Sequence, residues 1–221
     1  MKLSPQTITQ VTLFAETIIL FSIILMHLVK KSTNMVGLYL TQSLVVSCLL
    51  ALSAIINHST SFFMVALVIF VVKVVVAPRF FLSLIKKHRL RFATSCYLNM
   101  PLTLAGLTAI IAVTRSSLFS PLLELNPSNK EALLLSLSAM LMALFLIINR
   151  KGALSQMIGI LSLENAIVSF ALHAGLEQGP GLELGIMIDI IVWILIGTVF
   201  VSMIFKKFGS VDVTEMTNLK G

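Results

Sequence analysis

Charged side chains make up only 11% of this 221-residue chain, less than half the share of about 25% usual in a soluble domain. With 57% hydrophobic residues and a mean hydropathy of +1.02, that scarcity argues against a soluble globular protein. It predicts an all-α, polytopic membrane protein. Cysteine is nearly absent as well: Cys48 lies inside an apolar run and Cys96 just before another. Neither has metal-ligand spacing, a disulfide framework is not expected, and both read as buried thiols. Also missing are a glycine-rich phosphate loop after a strand, a His-Glu-x-x-His pair, a nucleophile elbow and any Cys/His cluster. The four histidines, His27, His58, His88 and His173, fall at or beyond the ends of apolar runs. They suit an interface better than the facing positions a haem requires. The chain is therefore expected to have no active site, metal or cofactor of its own. Its net charge of +7 does not point to nucleic acid, because the basic residues cluster between apolar runs as membrane topology demands.

Seven runs are long and apolar enough to cross a bilayer as helices: 8–29, 35–56, 61–85, 97–119, 131–149, 152–173 and 182–205. The first is too long for a signal-peptide core and lacks a small-residue cleavage site, so it reads as a retained helix. The loop chemistry of Ser120-Pro121 through Pro127-Ser128-Asn129 separates the fourth run from the fifth. Loops after the first, third and fifth runs, with the tail after the seventh, carry eleven of the lysines and arginines: Lys30, Lys31, Lys86, Lys87, Arg89, Arg91, Arg150, Lys151, Lys206, Lys207 and Lys220. The other side has Lys2, Arg115 and Lys130. That bias predicts an outside N-terminus and a cytoplasmic C-terminus, in the cell's inner (cytoplasmic) membrane.

Within the runs a few charged groups stand out. Glu164 lies near the middle of 152–173, and Lys73 near the middle of 61–85. A bare charge at that depth costs about 2.5–3.5 kcal/mol on insertion scales, so it is kept where it has a partner or a task. Pro78 follows Lys73 and removes a helical donor, which is expected to free the carbonyl of Val74. Such a carbonyl beside an ammonium is tolerable only where protein or water solvates both. Asp189 lies about a third of the way into the last run. Glu16 sits in the outer half of the first run, placed to face a neighbouring helix or reach the headgroups. Arg79 is near enough to a helix end to snorkel. Ser43, Ser47 and Ala51 recur every four residues and read as a packing seam.

The second and sixth runs echo each other. MVGLYLTQS from Met35 matches MIGILSLEN from Met157, with Gln42 and Glu164 five residues after the glycine. Each is followed by a run bearing an ionisable group, Lys73 and Asp189. Repeats of this kind are common in transport folds, whose sites lie between the repeats. Burial disfavours the charged form of each group while a nearby opposite charge favours it. A site balanced between the two changes protonation when its neighbour moves, which is the property of a proton relay or ion pathway. A static ion pair that holds helices together is the competing reading.

The motif M-I-G-I-L-S-L-E-N-A and the tail V-D-V-T-E-M-T-N-L-K-G resemble the small three-helix subunit of respiratory complex I, the 4L or NuoK type. Four further helices before that module make the whole chain resemble hydrogenase-4 component E. The resemblance divides the chain into a four-helix membrane part, 1–130, and a NuoK-like module with its tail, 131–221. It implies a non-catalytic membrane subunit of a group 4 nickel–iron hydrogenase or formate hydrogenlyase. Such a subunit contributes to proton or ion translocation coupled to electron transfer. Its partners would be antiporter-like membrane subunits, a membrane-anchor subunit and the lipid bilayer. Glu164 matches the family's membrane glutamate; Asp189, one turn before Trp193, is the nearest match to the second. Lys73 completes the relay set, with Glu16, Gln42, Asn165 and Arg79 as secondary candidates. The alternatives are the small subunit of a multisubunit cation/proton antiporter, a stand-alone transporter, and a purely structural scaffold.

Overall fold

The computed structural model of the chain describes residues 4–88, 96–127 and 129–175, together with 202 and 206. Among these residues the elements are all helical. They are α1 (Pro5–Leu28), α2 (Ser32–Ile56), α3 (Thr60–Ile69), a π-turn (Phe70–Val76), α4 (Ala77–His88), α5 (Met100–Thr114), a 3-10 turn (Ser117–Glu124), α6 (Lys130–Asn149) and α7 (Ala153–His173). Five spans are long and apolar enough to cross a membrane, α3 and α4 forming one of them; α5 and the 3-10 turn make a sixth if that bent pair is one span. The protein is a multi-pass helical membrane protein. The last apolar run, with Asp189 and Trp193, lies outside the described residues save for residue 202.

Local chemistry sets the helix ends. The Ser4 hydroxyl caps α1 by accepting from Thr7 N–H at 3.2 Å, and Pro5 follows where a missing N–H costs nothing. Asn99 does the same for α5 through Leu102 N–H at 3.1 Å, ahead of Pro101. Gly175, at φ +67°, takes the left-handed position just past the end of α7. Two expectations need correction. The fourth run does not continue as one straight helix, because α5 stops at Thr114 and Ser116 is extended. The segment from Ser120, read as loop, is instead 3-10 helix as far as Glu124, bent by 55° from α5. Fifteen residues of α5 rise only about 22 Å, so α5 by itself is shorter than a hydrocarbon core of about 30 Å.

Two buried apolar clusters stack along the bundle and fix the helix directions. One unites Met26, Met35, Val36, Tyr39, Phe81, Leu84, Leu146, Ile158 and Leu161. The other unites Ile19, Ile23, Val46, Leu50, Val65, Ile69, Met142, Ala166 and Val168. Passing from the second cluster to the first, residue numbers rise along α1, α3–α4 and α6 and fall along α2 and α7. Helices α2 and α7 are thus parallel to each other and antiparallel to the rest of the core. The basic pairs Lys30-Lys31, Lys86-Lys87 and Arg150-Lys151 consequently gather at one end of the bundle.

That end is locked by a buried arginine. Arg150 Nη2 donates to the carbonyls of Met26, His27 and Val29 at 2.5, 3.3 and 2.8 Å, closing the C-terminus of α1. Nearby, Asn149 accepts from Leu98 N–H at 2.9 Å and donates to Thr103 at 3.2 Å, tying the start of α5 to the end of α6. Helices α6 and α7 approach closely at Gly159, where a Cβ would meet Ile147 Cγ1 at 2.9 Å. Cys48 is exposed in a groove between α2 and α3 and Cys96 is half-buried, so neither is the enclosed thiol expected.

Candidate functional site

The junction between the two apolar clusters is polar. On α7, Ser162, Glu164 and Asn165 fall between Leu161 of one cluster and Ala166 of the other. On α2, Gln42 and Ser43 fall between Tyr39 and Val46, and on the third span Lys73 follows Val72 and Ile69. These residues form one layer near mid-depth, wrapped above and below by aliphatic side chains.

Lys73 is the centre of the layer. Its side chain is 1% exposed, and Nζ donates to Asn165 Oδ1 at 3.0 Å and pairs with Glu164 Oε2 at 3.5 Å. A lysine ammonium only donates, so the Asn165 oxygen must face it, leaving the amide nitrogen to donate to Ser43 Oγ at 3.0 Å. Ser47 in turn donates to the Ser43 carbonyl at 2.7 Å. Met26 of α1 closes the other flank, its sulfur accepting from Gln42 Nε2 and Ser162 Oγ, each at 3.4 Å. Two opposite charges in so dry a place hold together because each meets the other and the amide supplies a further acceptor. Glu164 retains 15% exposure. The ammonium is enclosed; the carboxylate sits at the rim.

The backbone explains how Lys73 reaches this position. Residues 70–76 take a π register, in which Ala77 N–H bonds to Val72 O, one residue further back than in an α-helix. The wide turn ends at Val76, two residues before Pro78, which has no N–H to give. Arg79 is exposed and donates from Nη1 to Val75 O at 3.3 Å, so its guanidinium serves a carbonyl of the wide turn. It does not join the Lys73 layer. π-turns inside long helices recur at functional sites because the extra residue aims a side chain that regular spacing would turn away.

A second polar group lies beyond the other end of the second cluster. Glu16 of α1 is fully buried. Its Oε1 meets His173 Nε2 at 2.8 Å and accepts the Ser169 hydroxyl. Glu16 thus faces a neighbouring helix, and His173, expected at the interface, is 3% exposed. His27 is likewise buried, against the Met142 carbonyl at 3.1 Å. Helix ends covered by neighbouring elements are not interfacial, and the chain order alone does not reveal the cover.

Sequence reasoning singled out Glu164, Lys73, Asn165, Gln42 and Glu16, and the structure brings the first four into one layer. It missed Ser162, Ser169 and His173. The signal was present: Ser155, Ser162, Asn165, Ser169 and His173 are spaced 7, 3, 4 and 4, a single buried stripe along α7. The seam expected at Ser43, Ser47 and Ala51 divides, Ser43 bonding to α7 while Ser47 and Ala51 line a groove beside α3. The echo between the second and sixth runs has a counterpart in space, since Ser43 and Asn165 occupy matched positions and touch. No group of three or more His, Cys, Asp or Glu side chains capable of holding a metal occurs among the described residues.

Fold and site together define a polytopic membrane protein with a buried lysine–carboxylate pair at mid-depth. Compared with protein-family models, curated proteins and solved structures, the chain matches none.

Proposed function

We propose that the chain is a non-catalytic membrane subunit of a group 4 nickel–iron hydrogenase or formate hydrogenlyase assembly, in which it relays protons or tunes an ion path. The observation that carries the reading is the Lys73–Glu164 pair, an enclosed ammonium against a rim carboxylate, on a π-turn and an antiparallel partner helix. A pair built only for rigidity gains no more than well-packed apolar side chains would give. One with a rim carboxylate exchanges its proton when a neighbour approaches. In this reading Glu164 is the switchable group, Lys73 is its charge partner, and Asn165 holds the lysine in place. The last apolar run supplies a seventh span with Asp189 as the outer-side acid. The gathered basic pairs face the cytoplasm and the N-terminus lies outside, in the inner membrane. Antiporter-like subunits and a membrane anchor would be the neighbours, and the resemblance of the M-I-G-I-L-S-L-E-N-A motif supports that choice.

The test begins with gently solubilised native membranes and a C-terminal tag. Recovery with a nickel–iron hydrogenase module and large antiporter-like subunits supports the reading; recovery alone, or with other antiporter subunits only, moves it to an antiporter or stand-alone transporter. Within a recovered complex, Glu164→Gln is expected to abolish coupled ion translocation while the assembly persists. Intact translocation in that variant would remove the relay role.

A further inference from the structure

The Glu16 layer is not used by the proposal above. Glu16 is fully buried. Two donors converge on its Oε1, the Ser169 hydroxyl and His173 Nε2. Its Oε2 is buried with no hydrogen-bond partner among the described residues. The end of α7 that carries His173 is anchored, because the His173 carbonyl accepts from Asn126 Nδ2 at 2.8 Å. Among the described residues, the charged groups on the elements around this layer are exposed, paired or remote, and His58 in the turn after α2 is exposed. On α6, Lys130 and Glu131 are exposed, and Glu131 is paired at 3.0 Å with Arg115, the residue that follows α5. Glu124 of the 3-10 turn is exposed. On α7 itself Glu164 is nine residues back, about 13 Å along the axis, where it meets Lys73. Helix α1 carries no other Asp, Glu, Lys or Arg.

The Glu16 carboxyl and the His173 imidazole sit within one hydrogen bond of each other in a dry layer. With no added proton the pair has a net charge of −1, with two it has +1, and with one it is neutral. Burial penalises both charged states and favours the neutral one. We propose that Glu16, Ser169 and His173 form a proton-binding site of their own, holding one exchangeable proton between carboxylate and imidazole. Ser169 fixes the receiving oxygen, and the unpartnered Oε2 is the alternative seat for the proton. Binding transfers one proton and no electrons. The inference stands whichever assembly the chain joins.

The test uses the full-length protein in lipid nanodiscs with ¹⁵N-labelled histidine, the His173 signal being assigned by its loss in His173→Gln. Infrared spectroscopy follows the carboxylic C=O stretch of Glu16, assigned by its loss in Glu16→Gln. At neutral pH one proton is expected on the pair, seen as a doubly protonated His173 ring or as a Glu16 carboxylic band. Ring and carboxyl signals are then expected to change together when that proton leaves as the pH is raised. In Glu16→Gln the His173 ring is expected to be neutral at neutral pH. A neutral His173 ring together with a bare Glu16 carboxylate in the unmodified protein would overturn the proposal, and so would a doubly protonated ring that stays doubly protonated in Glu16→Gln. If Glu16→Gln does not fold, His173→Gln reads the same site from the other side, with Glu16 expected to carry the proton as a carboxylic acid.

Discussion

Lys73 and Asn165, separated by 92 residues in sequence, meet through a 3.0 Å hydrogen bond that decides which way the asparagine amide points. The lysine takes the oxygen, Ser43 takes the nitrogen, and three spans are joined by one side chain. Asn165→Ala is expected to lower unfolding stability in mixed micelles by about 1–3 kcal/mol, the cost of leaving a buried donor without its acceptor. Ser43→Ala, which removes a neutral bond inside a membrane bundle, should cost only about 0.6 kcal/mol.

The Lys73–Glu164 pair predicts a strongly non-additive cycle. Lys73→Met alone strands a carboxylate beside a dry pocket, and Glu164→Gln alone strands an ammonium that is 1% exposed. Each single change is expected to cost about 3 kcal/mol, whereas the double variant should return close to the parent, as for buried pairs replaced together. Additive losses would show that the two groups do not interact.

Gly159 and Gly37 hold matched places in the two echoing helices yet differ in surroundings. A Cβ at Gly159 would lie 2.9 Å from Ile147 Cγ1, whereas one at Gly37 would meet nothing within 4 Å. Gly159→Ala is expected to destabilise by about 1–3 kcal/mol through overpacking. Gly37→Ala should stabilise by about 0.5–1 kcal/mol, because the helix loses a flexible residue and gains no clash. Thermal unfolding of the two variants side by side checks the contrast.

Arg150 closes the end of α1 through three carbonyls, a task for a planar fork rather than a point charge. Arg150→Lys is expected to cost about 1–2 kcal/mol and Arg150→Ala about 3 kcal/mol, on the scale of hydrogen bonds to charged groups. Hydrogen exchange should quicken at the C-terminal turn of α1 in both, with little change at Ser4–Thr7. Uniform quickening along α1 would contradict a local cap.

Several features were settled by the order of residues alone. Runs of some twenty apolar residues can satisfy their backbone in lipid only as helices, so the all-helical, multi-pass character follows without any contact being known. Glu164 and Lys73 stood out for the same reason, since a charge in such a run is costly at any orientation. The runs read as beginning at 8 and 97 start as helices at Pro5 and Met100, where Ser4 and Asn99 supply the caps. Tertiary packing decided the rest. Which groups share a layer depends on helix direction and rotation. Periodicity along one helix specifies a face, but not what that face meets. The alternation of spans already makes α2 and α7 parallel, but only the stacking of the two apolar clusters puts Ser43 against Asn165 and Lys73 beside Glu164. His173 became a buried partner of Glu16 because α1 and the segment at Asn126 cover the end of α7. The π-turn at Phe70–Val76 is a tertiary outcome too: the sequence showed that Pro78 lacks a donor, and packing around Lys73 selected the wider turn that brings the ammonium inward.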